Sequence, residues 1–165
     1  MITSAQAWDI LQRVPDPEIP VISVTELGIV RDVQVAGDDV DVVVTPTYSG
    51  CPATEVIERS ICEALSAAGA ARVRVATQLA PAWTTDWITP AARDKLRDYG
   101  IAPPGPVGEL VAEQRLHFMP RAAQPDCPRC GSADTERLSA FGATACKALY
   151  RCRACREPFE HFKPL

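Results

Sequence analysis

The chain has 165 residues, 47% hydrophobic and 23% charged, with a net charge of −4, the composition of a globular protein rather than a disordered one. No apolar run reaches the roughly 18 residues a bilayer-spanning helix needs, and the N-terminal MITSAQAWDILQRV lacks a basic signal-peptide start. A cytoplasmic protein without membrane contact is expected, its seven cysteines thiols or metal ligands rather than disulfides.

Ser4 is placed to cap a first helix that turns Trp8, Ile10, Leu11 and Val14 inward. Pro15, Pro17 and Pro20 forbid its continuation and predict an extended, stiff loop over DPEIPVIS. IVRDVQVAGDDVDVVVTP reads as a hairpin: Val33 and Val35 alternate with polar residues, Gly37–Asp39 turn the chain, and Val40, Val42 and Val44 return on one face. Pro52 suits a first helical turn, and residues 52–68 follow at helical spacing. Ile57, Ile61, Ala64, Leu65 and Ala68 share a face opposite Glu55, Arg59 and Glu63, and Gly69 ends the helix. RVRVATQL predicts a third strand with Val73, Val75 and Leu79 inward, and AARDKLRDY a last helix between Thr89-Pro90 and Gly100.

Helix, hairpin, helix and strand in that order predict an α+β domain over residues 1–101, a small mixed sheet with helices on one face. Five prolines in residues 102–126 predict a semi-rigid linker, with LVAEQRLHF inside it patterned for a short docking strand or helix.

Residues 127–165 hold CPRC and CRAC, two Cys-x-x-Cys pairs with 21 residues between them. Each pair turns two sulfurs to one point, so Cys127, Cys130, Cys152 and Cys155 are expected to form a closed tetrahedral metal site. A segment this small cannot hold itself together by burial alone, so the ion would supply folding energy. Structural zinc is the default for four thiolates, iron in a rubredoxin-like site uses the same ligands, and redox disulfides are the third reading. Cys146 is a spare thiol, a buried residue or an alternative ligand, while His117 and His161 lack the spacing of a ligand pair.

Charge is uneven: residues 1–126 carry 10 basic against 17 acidic side chains, and residues 127–165 carry 7 against 4. The basic tail invites a nucleic-acid-binding ribbon, but a divalent ion on four thiolates adds −2 and the acidic first domain repels phosphate. No specific nucleic-acid binding is expected.

Cys51 stands apart, in TPTYSGCP where a loop becomes a helix. At a helix N-cap its sulfur would meet unpaired backbone N–H groups and the positive dipole end, which favour a reactive thiolate. Gly50 admits a close approach and Thr45, Thr47 and Ser49 make that approach polar, against the plain reading of a small packed side chain. The residues leave both readings open. Cys62, on the flank of the same helix, reads as an incidental thiol.

Asp16, Glu18 and Glu26 surround the proline-stiffened loop, and Trp83 and Trp87 flank Asp86 in APAWTTDWI. Such carboxylates serve as acid/base groups, as hard-metal ligands or, most commonly, as solvated loop acids. Neither a phosphate loop nor a Ser-His-Asp order is present.

DPEIPVISVTELGIVRDV, TPTYSGCP and the Trp83–Trp87 segment resemble the small domain of the iron–sulfur cluster assembly (SufT-like) family. The tail from CPRCGSADTERLSAFGATACKALYRCRACREPFEHFKPL resembles that of the D-type proteins of bacterial phenylacetate-degradation (paa) operons. The resemblance implies an accessory factor, rather than an enzyme in itself, for the multicomponent epoxidase that oxygenates the ring of phenylacetyl-CoA. It implies that Cys51 works in cluster assembly or transfer, with a transient iron–sulfur cluster or iron there, and that Asp16 and Glu18 belong to the same signature. It offers two client centres, a di-iron oxygenase component and an iron–sulfur reductase component. One thiol cannot hold a cluster that usually takes four, so a homodimer, exogenous thiols or transient contact is implied. The alternatives are a stable structural or electron-transfer subunit of the oxygenase and, further off, a nucleic-acid-binding zinc ribbon.

Overall fold

The computed structural model describes residues 2–105, 107 and 124–165. Two compact units divide between Ala92 and Arg93.

The first unit is α+β. Helix α1, Ser4–Leu11, is capped one residue earlier than the sequence suggests. Thr3 accepts from the Gln6 backbone N–H and the Gln6 side chain returns the bond to the Thr3 N–H, a reciprocal capping box. Ala7 and Leu11 are the buried pair, while Trp8 and Ile10 are half-buried. Strands β1 (Val30–Ala36) and β2 (Asp39–Val44) form the expected hairpin. Ala36 pairs with Asp39, so the turn is the two residues Gly37-Asp38, with Gly37 left-handed at φ 66°. Helix α2, Thr54–Ala67, buries Ile57, Ile61 and Leu65, leaving Ala64 half-buried and Ala68 exposed. It delivers the chain to β3, Arg72–Thr77, which runs parallel to β2 and completes a mixed sheet in the order β1-β2-β3. Val73 and Val75 are half-buried, but Leu79 is 59% exposed because β3 ends at Thr77 and the inward alternation ends with it.

The DPEIPVIS stretch is not extended. Asp16 Oδ1 accepts the backbone N–H groups of Glu18 and Ile19 at 2.9 and 2.8 Å, folding the chain so that Pro15 pairs with Ser23. The turn sends Ile19, Ile22, Val24, Leu27 and Ile29 into the core. Prolines exclude helix here, but the buried apolar residues select a compact turn over an extended loop.

The second unit begins inside helix α3, Pro90–Tyr99, which Thr89 caps through the Ala92 N–H and left-handed Gly100 ends. Strand β4 (Ile101–Ala102) pairs in parallel with β7 (Pro158–Phe162), and β5 (Thr135–Ser139) and β6 (Lys147–Cys152) complete an otherwise antiparallel sheet ordered β4-β7-β6-β5. Its small core comprises Ala102, Cys127, Cys152 and Phe159, with Tyr150 stacked on Phe159. Lys147, almost fully buried, donates to Glu160 at 2.6 Å, and Glu160 also accepts the Ala143 N–H, which pins the β5–β6 loop to β7. Segment LVAEQRLHF and His117 lie outside the described residues.

Candidate functional site

Parallel β2 and β3 joined by α2 make a βαβ unit, and Cys51 sits in its βα loop at the carboxyl ends of both strands. In open α/β sheets this edge is where ligands meet the fold. The Cys51 N–H donates to the Tyr48 carbonyl at 3.3 Å, and its own carbonyl accepts from Thr54 N at 3.2 Å, so the loop closes on itself before α2 begins. Cys51 is therefore not the N-cap: Ala53 holds that place with no side-chain cap bond. Proline at 52 precedes the helix rather than opening it, which moves the thiol outside the first turn.

Cys51 is half-buried, as is Thr47, whereas Ser49 and Gly50 are exposed. Gly50 is left-handed at φ 81°, and a Cβ built there would meet nothing within 4 Å. At the root of the loop Thr45 is 2% exposed, and its hydroxyl has no hydrogen-bond partner among the described residues. A buried hydroxyl without a partner costs free energy, so this loop holds polar capacity its own fold does not use.

The acids divide by role. Asp16 is buried and locks its turn, and Glu26 Oε2 accepts the Ser23 N–H at 3.0 Å while its own N–H donates to Ser23 Oγ. Glu18 and Asp86 are exposed. Trp83 is buried and donates its indole N–H to the Leu27 carbonyl at 3.0 Å. Next to it the Thr89 N–H donates to the Glu26 carbonyl, and the Arg31 guanidinium stacks over the Trp87 ring at 3.5 Å. The sequence pattern did not single out Arg31 or Gly28. The loop after α1 and the short 3-10 turn Thr85–Trp87 are thus brought together by backbone and indole bonds.

In the second unit the Sγ atoms of Cys127, Cys130, Cys152 and Cys155 all lie within 4.8 Å of one another, with Cys127–Cys155 at 3.8 Å and Cys130–Cys152 at 3.5 Å. Four sulfurs at about 2.3 Å from one ion define a tetrahedron of about 3.8 Å edges, far from the ~2.05 Å of a disulfide. The spacing fits a single ion and leaves no room for the metals and sulfides of a cluster.

Both knuckles close through the same backbone bond, Cys127 N–H to the Ser132 carbonyl at 2.9 Å in one and Cys152 N–H to the Glu157 carbonyl at 3.0 Å in the other. In the second, Cys155 N also donates to Cys152 Sγ at 3.4 Å. That N–H draws the Cys152 thiol down to about 7. The Glu157 N–H pulls on Cys155 in the same sense, but desolvation and the neighbouring sulfurs push its thiol up to about 12. Four crowded thiols cannot all ionise without a cation among them, and a divalent ion is what the donor set fits. Cys146 is buried with Sγ 3.0 Å from Thr144 Oγ1, outside the quartet. His161 is also buried, edge-on to Tyr150, and burial pushes its pKa down to about 4.

Residues 4–77 match the iron-sulfur cluster assembly protein family, and residues 115–163 match the PaaD zinc beta ribbon domain. Over 158 residues the chain is 51% identical to an Escherichia coli (strain K12) protein described as a "Putative 1,2-phenylacetyl-CoA epoxidase" subunit, covering 96% of this chain and 91% of the relative. The chain belongs to the PaaD family. Its fold is shared by a domain of unknown function, DUF59, from Bacillus anthracis, at TM-score 0.52 and 24% identity over 56% of this chain and 89% of that one. A conserved hypothetical protein from Thermotoga maritima matches at TM-score 0.50 and 30% identity, over 58% of this chain and 94% of that one. The PaaD-family chain thus joins an iron–sulfur-assembly-type α+β domain to a zinc ribbon. No helix among the described residues is long and apolar enough to cross a membrane.

Proposed function

We propose that this chain is a maturation factor for the metal centre, iron–sulfur cluster or di-iron, of a multicomponent phenylacetyl-CoA epoxidase. The observation that carries the reading is the place of Cys51: a half-exposed thiol at the carboxyl ends of parallel β2 and β3, in the segment that matches the iron–sulfur cluster assembly family. Left-handed Gly50 and the Thr45 hydroxyl, which has no hydrogen-bond partner among the described residues, support a loop built to receive cargo. The name of the Escherichia coli relative supplies the client system. In this reading Cys51 gives one thiolate ligand to an incoming iron or cluster, and a client, a second copy or a small thiol supplies the rest. Thr47, Ser49 and Glu18 are the polar groups nearest in sequence or signature that would meet the cargo. Asp16, Glu26, Trp83 and Asp86 would hold or flank the surrounding turns.

The ribbon serves as a docking module. Its resident ion is zinc in this reading, because four thiolates close the shell and leave no position for substrate. An iron centre with a rubredoxin-type visible spectrum would replace this with electron transfer.

The test is anaerobic purification with metal and acid-labile sulfide analysis of wild type beside Cys51→Ser. Wild type is expected to carry substoichiometric iron or sulfide that the serine variant lacks, with the ribbon ion retained in both. Cells carrying Cys51→Ser should make oxygenase or reductase components short of metal. Wild-type growth on phenylacetate and full metal loading with the variant would overturn the proposal. The relative's description as part of an epoxidase favours a second reading, a stable oxygenase subunit, which stoichiometric copurification would establish.

A further inference from the structure

The two cysteine knuckles differ at one equivalent position. Each is followed by a residue in the left-handed region, Gly131 at φ 73° after Cys130 and Arg156 at φ 68° after Cys155. Left-handed backbone penalises any side chain with a Cβ, and glycine is the ordinary solution. Arg156 is the one non-glycine residue among the described residues to adopt it, and its exposed side chain has no hydrogen-bond or ion-pair partner among them. A strained position occupied by a long cation that stabilises nothing internally points to a use outside the fold.

Arg156 lines a groove of about 450 Å³ with Arg151, Arg153, Glu136 and Cys152. Glu136 accepts from both Arg151 and Arg153, whose Nε and Nη2 lie 3.3 and 3.1 Å from Oε2. One carboxylate therefore fixes two guanidinium planes at the groove wall. We propose that this groove is a docking site for an acidic segment of a protein partner, with side-chain carboxylates received by Arg156 and by the Arg151 Nη1 donors that Glu136 does not use, while Arg153 is held between Glu136 and Asp134.

Charge and geometry select a carboxylate over a polyanion. Three guanidinium groups against Glu136 leave the lining at +2, but Asp134 stands 3.7 Å from Arg153 Nη1 just outside it, and a divalent ion on four thiolates would add −2 at Cys152. The local field is modest, so recognition comes from N–H geometry, which planar forks match to carboxylates, and Glu136 already occupies such a fork. A nucleic-acid backbone, which binds mainly through net charge, gains little here.

The test uses the full-length, metal-loaded protein and a hexaglutamate peptide, titrated at low and at physiological salt by calorimetry. Wild type should bind with salt-sensitive affinity. Arg156→Gly should weaken binding about threefold to tenfold. The same variant should melt at or above the wild-type temperature, because glycine relieves the backbone. Arg59→Ser, an exposed arginine on α2, should bind as wild type does. Absence of salt-sensitive binding, equal affinity of Arg156→Gly and wild type, or a lowered melting temperature for Arg156→Gly would each overturn the proposal. Tighter binding of inorganic pyrophosphate or a single-stranded oligonucleotide than of hexaglutamate would overturn the carboxylate assignment.

Discussion

Trp83 and Leu27, 56 residues apart in sequence, are joined by an indole N–H to carbonyl hydrogen bond of 3.0 Å inside the first unit. That bond and the Thr89–Glu26 backbone bond make Trp83 a clasp between two irregular segments. Trp83→Phe removes the donor and strands a buried carbonyl, which should cost about 1–3 kcal/mol, read as a lower urea midpoint with an unchanged slope. Gly28→Ala should cost at least as much. Its Cβ would lie 2.6 Å from Trp87 Cβ and 2.9 Å from the Trp87 carbonyl, at φ 71°. Wild-type stability in both variants would mean the clasp contributes nothing.

Metal removal should be felt at β4. Ala102, 2% exposed, packs with Cys127 and Cys152, while β4 is held to the sheet by pairing with Glu160 and His161 of β7. Chelation takes away the point on which the knuckles converge, so amide exchange at Ile101 and Ala102 should rise together with that of residues 127–162. Residues 2–92 should keep their protection. Cys152→Ser should behave likewise, with loss of one tightly held ion per chain by elemental analysis. Full protection of β4 in metal-free protein would refute the coupling.

How much of this was legible in the sequence follows from where the stabilising contacts lie. The β1–β2 hairpin and α2 can be read from periodicity because their buried faces, Val40–Val42–Val44 and Ile57–Ile61–Leu65, repeat at the period of the element. The turn over residues 16–23 cannot, because its form depends on a carboxylate bonding to backbone two and three residues on, and on a core assembled from distant strands. The strands of the second unit are short, expose much of their surface and lean on a metal site, so alternation is faint: β5 buries only Thr135. The cysteine quartet is legible because pair spacing alone sets which sulfurs converge. Helical spacing from Pro52 suggested that Cys51 caps α2, but the helix waits for Thr54, a shift of the size at which helix ends are least readable. Arg156 stayed hidden because nothing in its residue type announces a left-handed backbone.

Burial of His161 makes stability depend on pH. Its pKa is pushed from 6.5 down to about 4 by desolvation, so in the native protein it stays neutral where the unfolded chain already binds a proton. The stability this neutral histidine allows is therefore full above about pH 6.5 and is lost as pH falls toward about 4. His161→Phe, which keeps an aromatic edge toward Tyr150, should flatten the fall between pH 6.5 and 5.5, measured by urea denaturation of metal-loaded protein. Equal slopes for both proteins in that window would show that His161 is not the group responsible.

Cys51 and Cys62 provide the sharpest contrast in reactivity. Cys62 lies on α2 where burial, then the carboxylates of Glu58 and Glu63, push its thiol above the ordinary range and suppress the thiolate. Cys51 lies in the βα loop, beside Gly50, where an added Cβ would meet nothing within 4 Å. Iodoacetamide at neutral pH should therefore label Cys51 before Cys62 in the metal-loaded protein, whose ribbon thiols are held as ligands. Glu58→Gln with Glu63→Gln should speed the labelling of Cys62 severalfold and leave Cys51 unchanged. Cys51→Ser, at a position with no cap bond to lose, should melt within about 0.5 kcal/mol of wild type while removing the fast-labelling site. Peptide mapping decides the matter: if Cys62 is modified first, or both react at one rate, the loop does not present Cys51 as an accessible nucleophile and the maturation proposal loses its ligand.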